Sequence, residues 1–185
     1  MELRSQDPLV REQAGLIRQG AQHLSALLTE ILDLAKIEAG AMPAHSDAVE
    51  LHRLVHEVAE FFRVSAVAKS LELQAHTATQ TPHTLVTDRL KLKQILHNLL
   101  SNAIKFTATG SVELRVEPSA QSDHVLFHIK DTGPGIPPEQ YERIFEKFSQ
   151  GHARISYEHG GTGLGLSLSR ALAELLGGTL TMQSH

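Results

Sequence analysis

Apolar residues recur near the start of the chain at Val10, Ala14, Ile17, Ala21, Leu24, Leu28, Ile31 and Ala35, in steps that alternate between four and three. That spacing is a heptad seam and predicts one long helix. Leu27 and Leu34 add a second row, which widens the stripe beyond what a two-stranded coil uses and toward a helix bundle. Such a helix cannot bury its own face. It needs the domain that follows, a second helix or a dimer mate.

The helix is predicted to stop near Gly40, and AGAMPAHSDAVE (Ala39–Glu50) reads as a linker carrying Gly, Pro, Ser and Asp. The chain divides accordingly into residues 1–45, helix and linker, and residues 46–185, a second unit. In that unit a helix is expected over about Val49–Ala68, with Leu51, Leu54, Val55, Val58 and Phe62 on one side. LELQAH and HTLVTD alternate and read as strands. Asp88 stands where an N-cap belongs, ahead of an amphipathic helix ending near Phe106. SVELRVEP and DHVLFHIKD alternate again and predict a hairpin. A last helix is expected over about Leu164–Leu176, stopped by Gly177 and Gly178, with TLTMQ as a closing strand. This order predicts an α+β fold, a two-layer α/β sandwich with a mixed sheet and helices on one face.

Composition narrows the function. With 41% hydrophobic and 21% charged residues the chain is ordinary globular protein. A net charge of -4 without a basic stripe gives no footprint for nucleic acid. The absence of cysteine excludes disulfide and thiolate chemistry. No apolar run approaches the ~20 residues of a membrane span, so no membrane contact is expected of this segment. A cytoplasmic setting is expected, with any anchor of the parent protein outside this sequence.

Three constellations carry chemistry. Gln94, Asn98, Asn102 and Lys105 recur at four, four and three along one helix face. Two amides and a lysine offer oxygens to a hard cation and positive charge to phosphate, although an ordinary solvated face has the same look. DTGPGIP (Asp131–Pro137) follows a strand directly. Asp131 can accept a hydrogen bond from an exocyclic amine, and the same residues equally suit a Gly/Pro turn with an Asp cap. Finally, Gly161, Gly163 and Gly165 precede a helix start, where free N–H groups and the helix dipole favour an anion. No Gly-Lys-Ser/Thr follows, and a third Rossmann glycine is missing. The glycines therefore belong to another nucleotide fold.

Taken in order, these segments resemble the boxes of the catalytic ATP-binding domain of sensor histidine kinases, within the gyrase, Hsp90, histidine kinase and MutL (GHKL) superfamily. HNLLSNAIKFT looks like the N box, DTGPGI the G1 box, FEKF (Phe145–Phe148) the F box and GGTGLGL the G2 box. ILDLAKIEAG resembles the second helix of the dimerisation and phosphotransfer bundle. The resemblance implies a Bergerat-type ATP-binding fold with ATP and Mg²⁺ as ligands. It places Mg²⁺ on Asn102, the phosphates by Asn98 and Lys105, and adenine on Asp131. Phe106, Gly133, Gly135, Ile136 and Phe148 would shape the nucleotide pocket. Gly161, Gly163 and Gly165 would hinge the ATP lid and present amides to phosphate, with Thr162 and Leu164 near the nucleotide. A histidine imidazole would attack the γ-phosphorus, and an aspartate of a response-regulator receiver domain would then take the phosphoryl group. The parent would be a homodimer through the N-terminal helix.

The departures bear on activity. Met1 stands where an acceptor histidine would precede Glu2-Leu3-Arg4. The acceptor helix is therefore expected to lie outside this chain, so that the chain alone does not phosphorylate itself. A further closing strand is expected to be missing as well. Tyr157 and Gln150 occupy positions where relatives of the resembled family carry arginine, which leaves Arg154 or the acceptor helix to supply the charge at the γ-phosphate. Two other readings stand beside the kinase: a degenerate module that binds nucleotide only to regulate, and another superfamily ATPase with gated dimerisation.

Overall fold

A computed structural model of the chain describes residues 8–120, 124–149 and 162–184. Helix α1 (Pro8–Glu38) is the predicted long helix. It ends as expected at Gly40, whose N–H meets Ile37 O at 2.9 Å while Ala41 N–H meets Lys36 O at 2.8 Å. These two bonds satisfy carbonyls that the last helical turn leaves open.

Strand β1 (Asp47–Glu50) follows, then helix α2 (Leu51–Ala68). Strand β1 was not foreseen: its four residues fell in the expected linker and helix start. It is too short to show alternation, and exists because β3 (Thr84–Thr87) pairs with it antiparallel, setting Val49 opposite Leu85. Strand β2 (Glu72–Thr77) lies between α2 and β3 in sequence. Helix α3 (Arg89–Phe106) comes next, followed by strands β4 (Ser111–Pro118) and β5 (Val125–Asp131). Two 3₁₀ turns (Pro138–Gln140 and Arg143–Phe145) lead on, and helix α4 (Gly165–Leu175) closes the described chain.

The predicted mixed sheet is present as β2-β4-β5, with β2 parallel to β4 and β5 antiparallel to it. The pair β1-β3 forms a separate two-stranded piece. The hairpin β4-β5 is as expected, but Thr179–Gln183 is not a strand. Alternating residues make a strand only where a neighbouring edge completes the ladder, and the described residues give this segment none. It is held instead by Ser184, whose hydroxyl accepts from Ile136 N–H at 2.9 Å and whose carbonyl accepts from the Tyr141 hydroxyl at 3.0 Å.

The alternation of β4 decides which face of the sheet is covered. Val112, Leu114 and Val116 are fully buried under α2 and α3 with Leu54, Val58, Leu96 and Leu100. Glu113, Arg115 and Glu117 face out, where His76 pairs with Glu113 and His128 with Glu117. Burying one aliphatic side chain of this size stabilises by roughly 1.5–3 kcal/mol. A second cluster joins Leu34 of α1, Ile95 of α3 and Leu164, Leu168 and Leu172. The second row of α1 thus packs on α4, while the heptad row stays open: Leu34 is 7% exposed and Ile17 73%.

Both ends of α3 are satisfied by named side chains. Asp88 caps α3 as predicted, with Oδ1 accepting from Leu90 N and Lys91 N at 3.0 Å each. Its Oδ2 accepts from His45 N at 3.0 Å and Lys91 Nζ at 2.7 Å. Burial alone would raise the Asp88 pKa, but these donors hold the carboxyl well below the ordinary range. At the other end of α3, Lys69 Nζ donates to the carbonyls of Ile104, Lys105 and Thr107 at 2.8, 2.7 and 3.2 Å. A cation there also suits the negative end of the helix dipole.

His97 lies between Phe61 and Phe62, with ring centroids 4.6 and 5.2 Å away. Its Nε2 is buried, with no partner among the described residues. Desolvation, aided by Lys93, lowers its pKa against the pull of Glu57. An unfolded histidine titrates near pH 6.5, so as pH falls below about 6.5 the unfolded chain takes up this proton more readily than the folded one. Stability should therefore fall with pH in that window. His97→Phe keeps an aromatic ring in place and is expected to flatten the slope between about pH 5 and 7, measured by urea unfolding at several pH values. An unchanged slope would show that another group titrates.

Candidate functional site

Helix α3 turns Leu92, Leu96 and Leu100 into the core and leaves its polar stripe outside it. Gln94 is exposed; Asn98, Asn102 and Lys105 are half-buried. Burial lowers the Lys105 pKa, and its Nζ lies 4.9 Å from the centre of the Phe106 ring. An ammonium that has lost part of its water is stabilised by any anion that reaches it.

Both glycine segments close on this helix. At its C-terminal end, a Cβ on Gly133 would fall 3.3 Å from Phe106 O and 3.5 Å from Thr107 Oγ1. The turn that brings Gly133 there is capped by Asp131, whose Oδ1 accepts from Gly133 N at 2.8 Å. The cap reading of Asp131 therefore holds, and it uses one of two carboxylate oxygens. Gly135 adopts φ +72°, and Ile136, half-buried, is tethered to Ser184.

Toward the other end of α3, the first turn of α4 rests on Asn98. A Cβ on Gly165 would lie 2.4 Å from Asn98 Oδ1, so only glycine admits the amide in this position. Asn98 Nδ2 donates to Ser169 Oγ at 2.8 Å. Gly163, at φ +69°, packs backbone to backbone on Phe148, where a Cβ would fall 2.9 Å from the Phe148 carbonyl carbon. Phe148 itself has φ +60° and an exposed side chain. Thr162 donates to Glu30 Oε2 of α1 at 2.7 Å and accepts from Leu164 N at 3.2 Å. Leu164, expected beside a ligand, turns its side chain fully into the second core. Gly161, Gln150, Arg154, Tyr157 and the Met1–Arg4 segment lie outside the described residues.

The two contacts on α3, at Asn98 and Phe106, are eight residues apart, about 12 Å at the helical rise of 1.5 Å per residue. The polar strip of α3 thus runs from a carboxylate-capped turn to a glycine-containing helix start. Residues 87–185 match the histidine kinase-, DNA gyrase B- and HSP90-like ATPase family. The chain belongs to that family.

More narrowly, it is the catalytic ATPase domain of a sensor histidine kinase, preceded by a long helix. It is 37% identical over 181 residues to the signal transduction histidine-protein kinase BarA of Escherichia coli (strain K12), covering 96% of this chain and 20% of BarA. It is 40% identical over 173 residues to the sensor histidine kinase GacS of Pseudomonas protegens, covering 92% of this chain and 19% of GacS. Full-length ShkA in complex with AMPPNP superposes with a TM-score of 0.80 at 30% identity, over 100% of this chain and 38% of that one. The histidine kinase ThkA in complex with response regulator protein TrrA gives 0.68 at 25% identity, over 96% of this chain and 48% of that one. The chain spans about a fifth of the length of these curated relatives. ATPase domains of this family bind Mg-ATP as a class. No helix among the described residues is long and apolar enough to cross a membrane.

Several residues that hold these segments together carry no motif signal. Ser169, Lys69 and Ser184 act through hydrogen bonds across long sequence separations. Glu30 and Glu38 look like solvated helix charges in sequence, yet they meet Thr162 and Lys147. Gly163 supplies a direct test of the packing. Gly163→Ala forces an L-residue into the left-handed region and against the Phe148 backbone, and is expected to destabilise by roughly 2–4 kcal/mol in urea unfolding. Gly15→Ala, mid-helix with nothing within 4 Å, should stabilise by roughly 0.5–1 kcal/mol in the same assay.

Proposed function

We propose that this domain binds Mg-ATP along α3 and presents its γ-phosphoryl group to a histidine on a bundle helix outside this sequence. The observation that carries the reading is the junction of both glycine segments with one polar helix edge. At the β5 end, Asp131 keeps one oxygen for the turn and offers the other to the amino group of adenine. At the α4 end, Asn98, Asn102, Lys105 and the free N–H groups of the first helical turn face the phosphates. Two amide oxygens fit an oxygen-preferring cation, and Asn102 is the residue that would hold it. Bound there, Mg²⁺ would neutralise phosphate charge.

In the transfer, an imidazole nitrogen of the acceptor attacks the γ-phosphorus. The bond to the β,γ-bridging oxygen breaks, ADP leaves, and the imidazole loses its proton. Phosphoryl transfer of this kind depends on positioning and charge stabilisation, which is what these residues supply. An aspartate of a receiver domain then accepts the group; the ThkA relative was solved with a response regulator. The open heptad row of α1, with Val10, Ile17, Leu24, Leu28 and Ile31 exposed, is the surface for a second bundle helix and a dimer mate. The domain unit begins after the linker, near residue 46.

Calorimetric titration of ATP, with and without Mg²⁺, tests the reading. Wild type is expected to bind, and to bind more tightly with Mg²⁺. Asp131→Asn preserves an oxygen for the Gly133 turn but sets an amide donor against the adenine amine, and should weaken binding about 10- to 100-fold, the ~1–3 kcal/mol cost of an unsatisfied polar group. A folded wild-type chain that binds no ATP would overturn the assignment.

A further inference from the structure

Ser169 stands at the fourth position after Gly165, on the same face of α4. Together the two residues form a shallow notch over α3, one lacking a side chain and the other ending in a hydroxyl. The Asn98 carboxamide fills that notch. Its Nδ2 meets Ser169 Oγ at 2.8 Å, and its Oδ1 lies 2.4 Å from where a Gly165 Cβ would stand. Ser169 is 2% exposed, whereas Asn98 is half-buried. The buried hydroxyl therefore fixes a side chain that remains partly exposed on the polar strip of α3.

From this geometry we infer that Ser169 is a positioning residue for the phosphate half of the nucleotide site. It rests on the proposed reading of the polar strip of α3 as that site. Ser169 touches no ligand itself. By bonding the Asn98 carboxamide it holds that side chain in the notch, with Oδ1 lying against Gly165 at the start of α4. An oxygen favours a cation or a donor bound with the phosphates; an amino group would reverse that polarity. The same bond sets the spacing between the α3 stripe and the free N–H groups of α4. The proposed adenine half of the site, at Asp131 and Gly133, is built by other contacts and lies about eight residues away along α3, about 12 Å by helical rise.

The consequence is selective. Ser169→Ala should weaken Mg-ATP binding by about 10-fold, the size of one lost hydrogen-bond constraint, while adenosine binding stays at the wild-type level. Ser169→Thr, which keeps the hydroxyl, should restore Mg-ATP binding. Asn98→Ala combined with Ser169→Ala should bind no more weakly than Asn98→Ala alone, because the serine acts through the asparagine. Calorimetry for Mg-ATP and an NMR titration with adenosine read these values on the full chain, with thermal melts to verify folding.

Wild-type Mg-ATP affinity in Ser169→Ala would overturn the inference. So would an equal loss for Mg-ATP and adenosine, which a general packing defect produces, or additive losses in the double variant. Failure of the wild-type chain itself to bind ATP would remove the underlying site. That result is distinct because no substitution is involved.

Discussion

Helix α3 is buried on two sides at once. Leu92, Leu96, Leu100, Ala103 and Ile104 face the sheet and α2, while Ile95 and Leu99 face α1 and α4. Only the remaining strip is left for chemistry, and it holds Gln94, Asn98, Asn102 and Lys105. The placement of every other element follows from this division. The sheet covers one side, α4 settles on the other, and the glycine segments occupy the rim between. Asp88 and Lys69 satisfy the two ends of α3 from different parts of the chain, so the helix that bears the amides is pinned at both termini. Rigid support of that kind is what a binding constellation requires.

The contact of α1 with α4 adds a second constraint. Glu30, Leu34 and Glu38 recur at intervals of four and share one face of α1. Glu30 meets Thr162, Leu34 enters the second core, and Glu38 pairs with Lys147. Thr162 precedes the Gly163–Gly165 turn, and Lys147 precedes Phe148, which packs on Gly163. One helical face therefore reaches both chain segments that converge on Gly163. A change in the rotation of α1 would act on both of these segments. The energy is divided unequally: exposed ion pairs such as Glu38–Lys147 contribute little, so Leu34 supplies most of the attachment and the polar pairs set its register.

The sequence made the helices, the hairpin and the order of the site segments legible because those features rest on local rules. Heptad spacing, the Asp88 cap and β4 alternation each act within a few residues. Strand β1 escaped because four residues show no period and its existence depends on β3. The TLTMQ segment misled for the converse reason, since local alternation cannot reveal whether a partner edge is present. Within the site, glycines and amides were visible by type, but their reasons were not. Gly165 reads as an anion-binding glycine, whereas the geometry also requires it for the close approach of Asn98. Ser169 is one serine among several until Asn98 is set beside it.

The heptad row completes the argument. A helix with two apolar rows can give one of them to its own domain and keep the other. Here the Leu27 and Leu34 row belongs to α4, and the row through Ile17, Leu24, Leu28 and Ile31 faces away. The two rows therefore do not compete. A bundle partner can cover the seam without displacing the ATPase domain, and the domain can release α1 without exposing the seam. The cost of release falls on a few contacts: Leu34, with Leu27 and Ile37 beside it, and two polar pairs. Burial of one leucine is worth roughly 1.5–3 kcal/mol, an amount that ligand binding with a modest preference for one arrangement can outweigh. The width of the hydrophobic stripe, visible in the first forty residues, would thus let one helix serve both a bundle and its own domain.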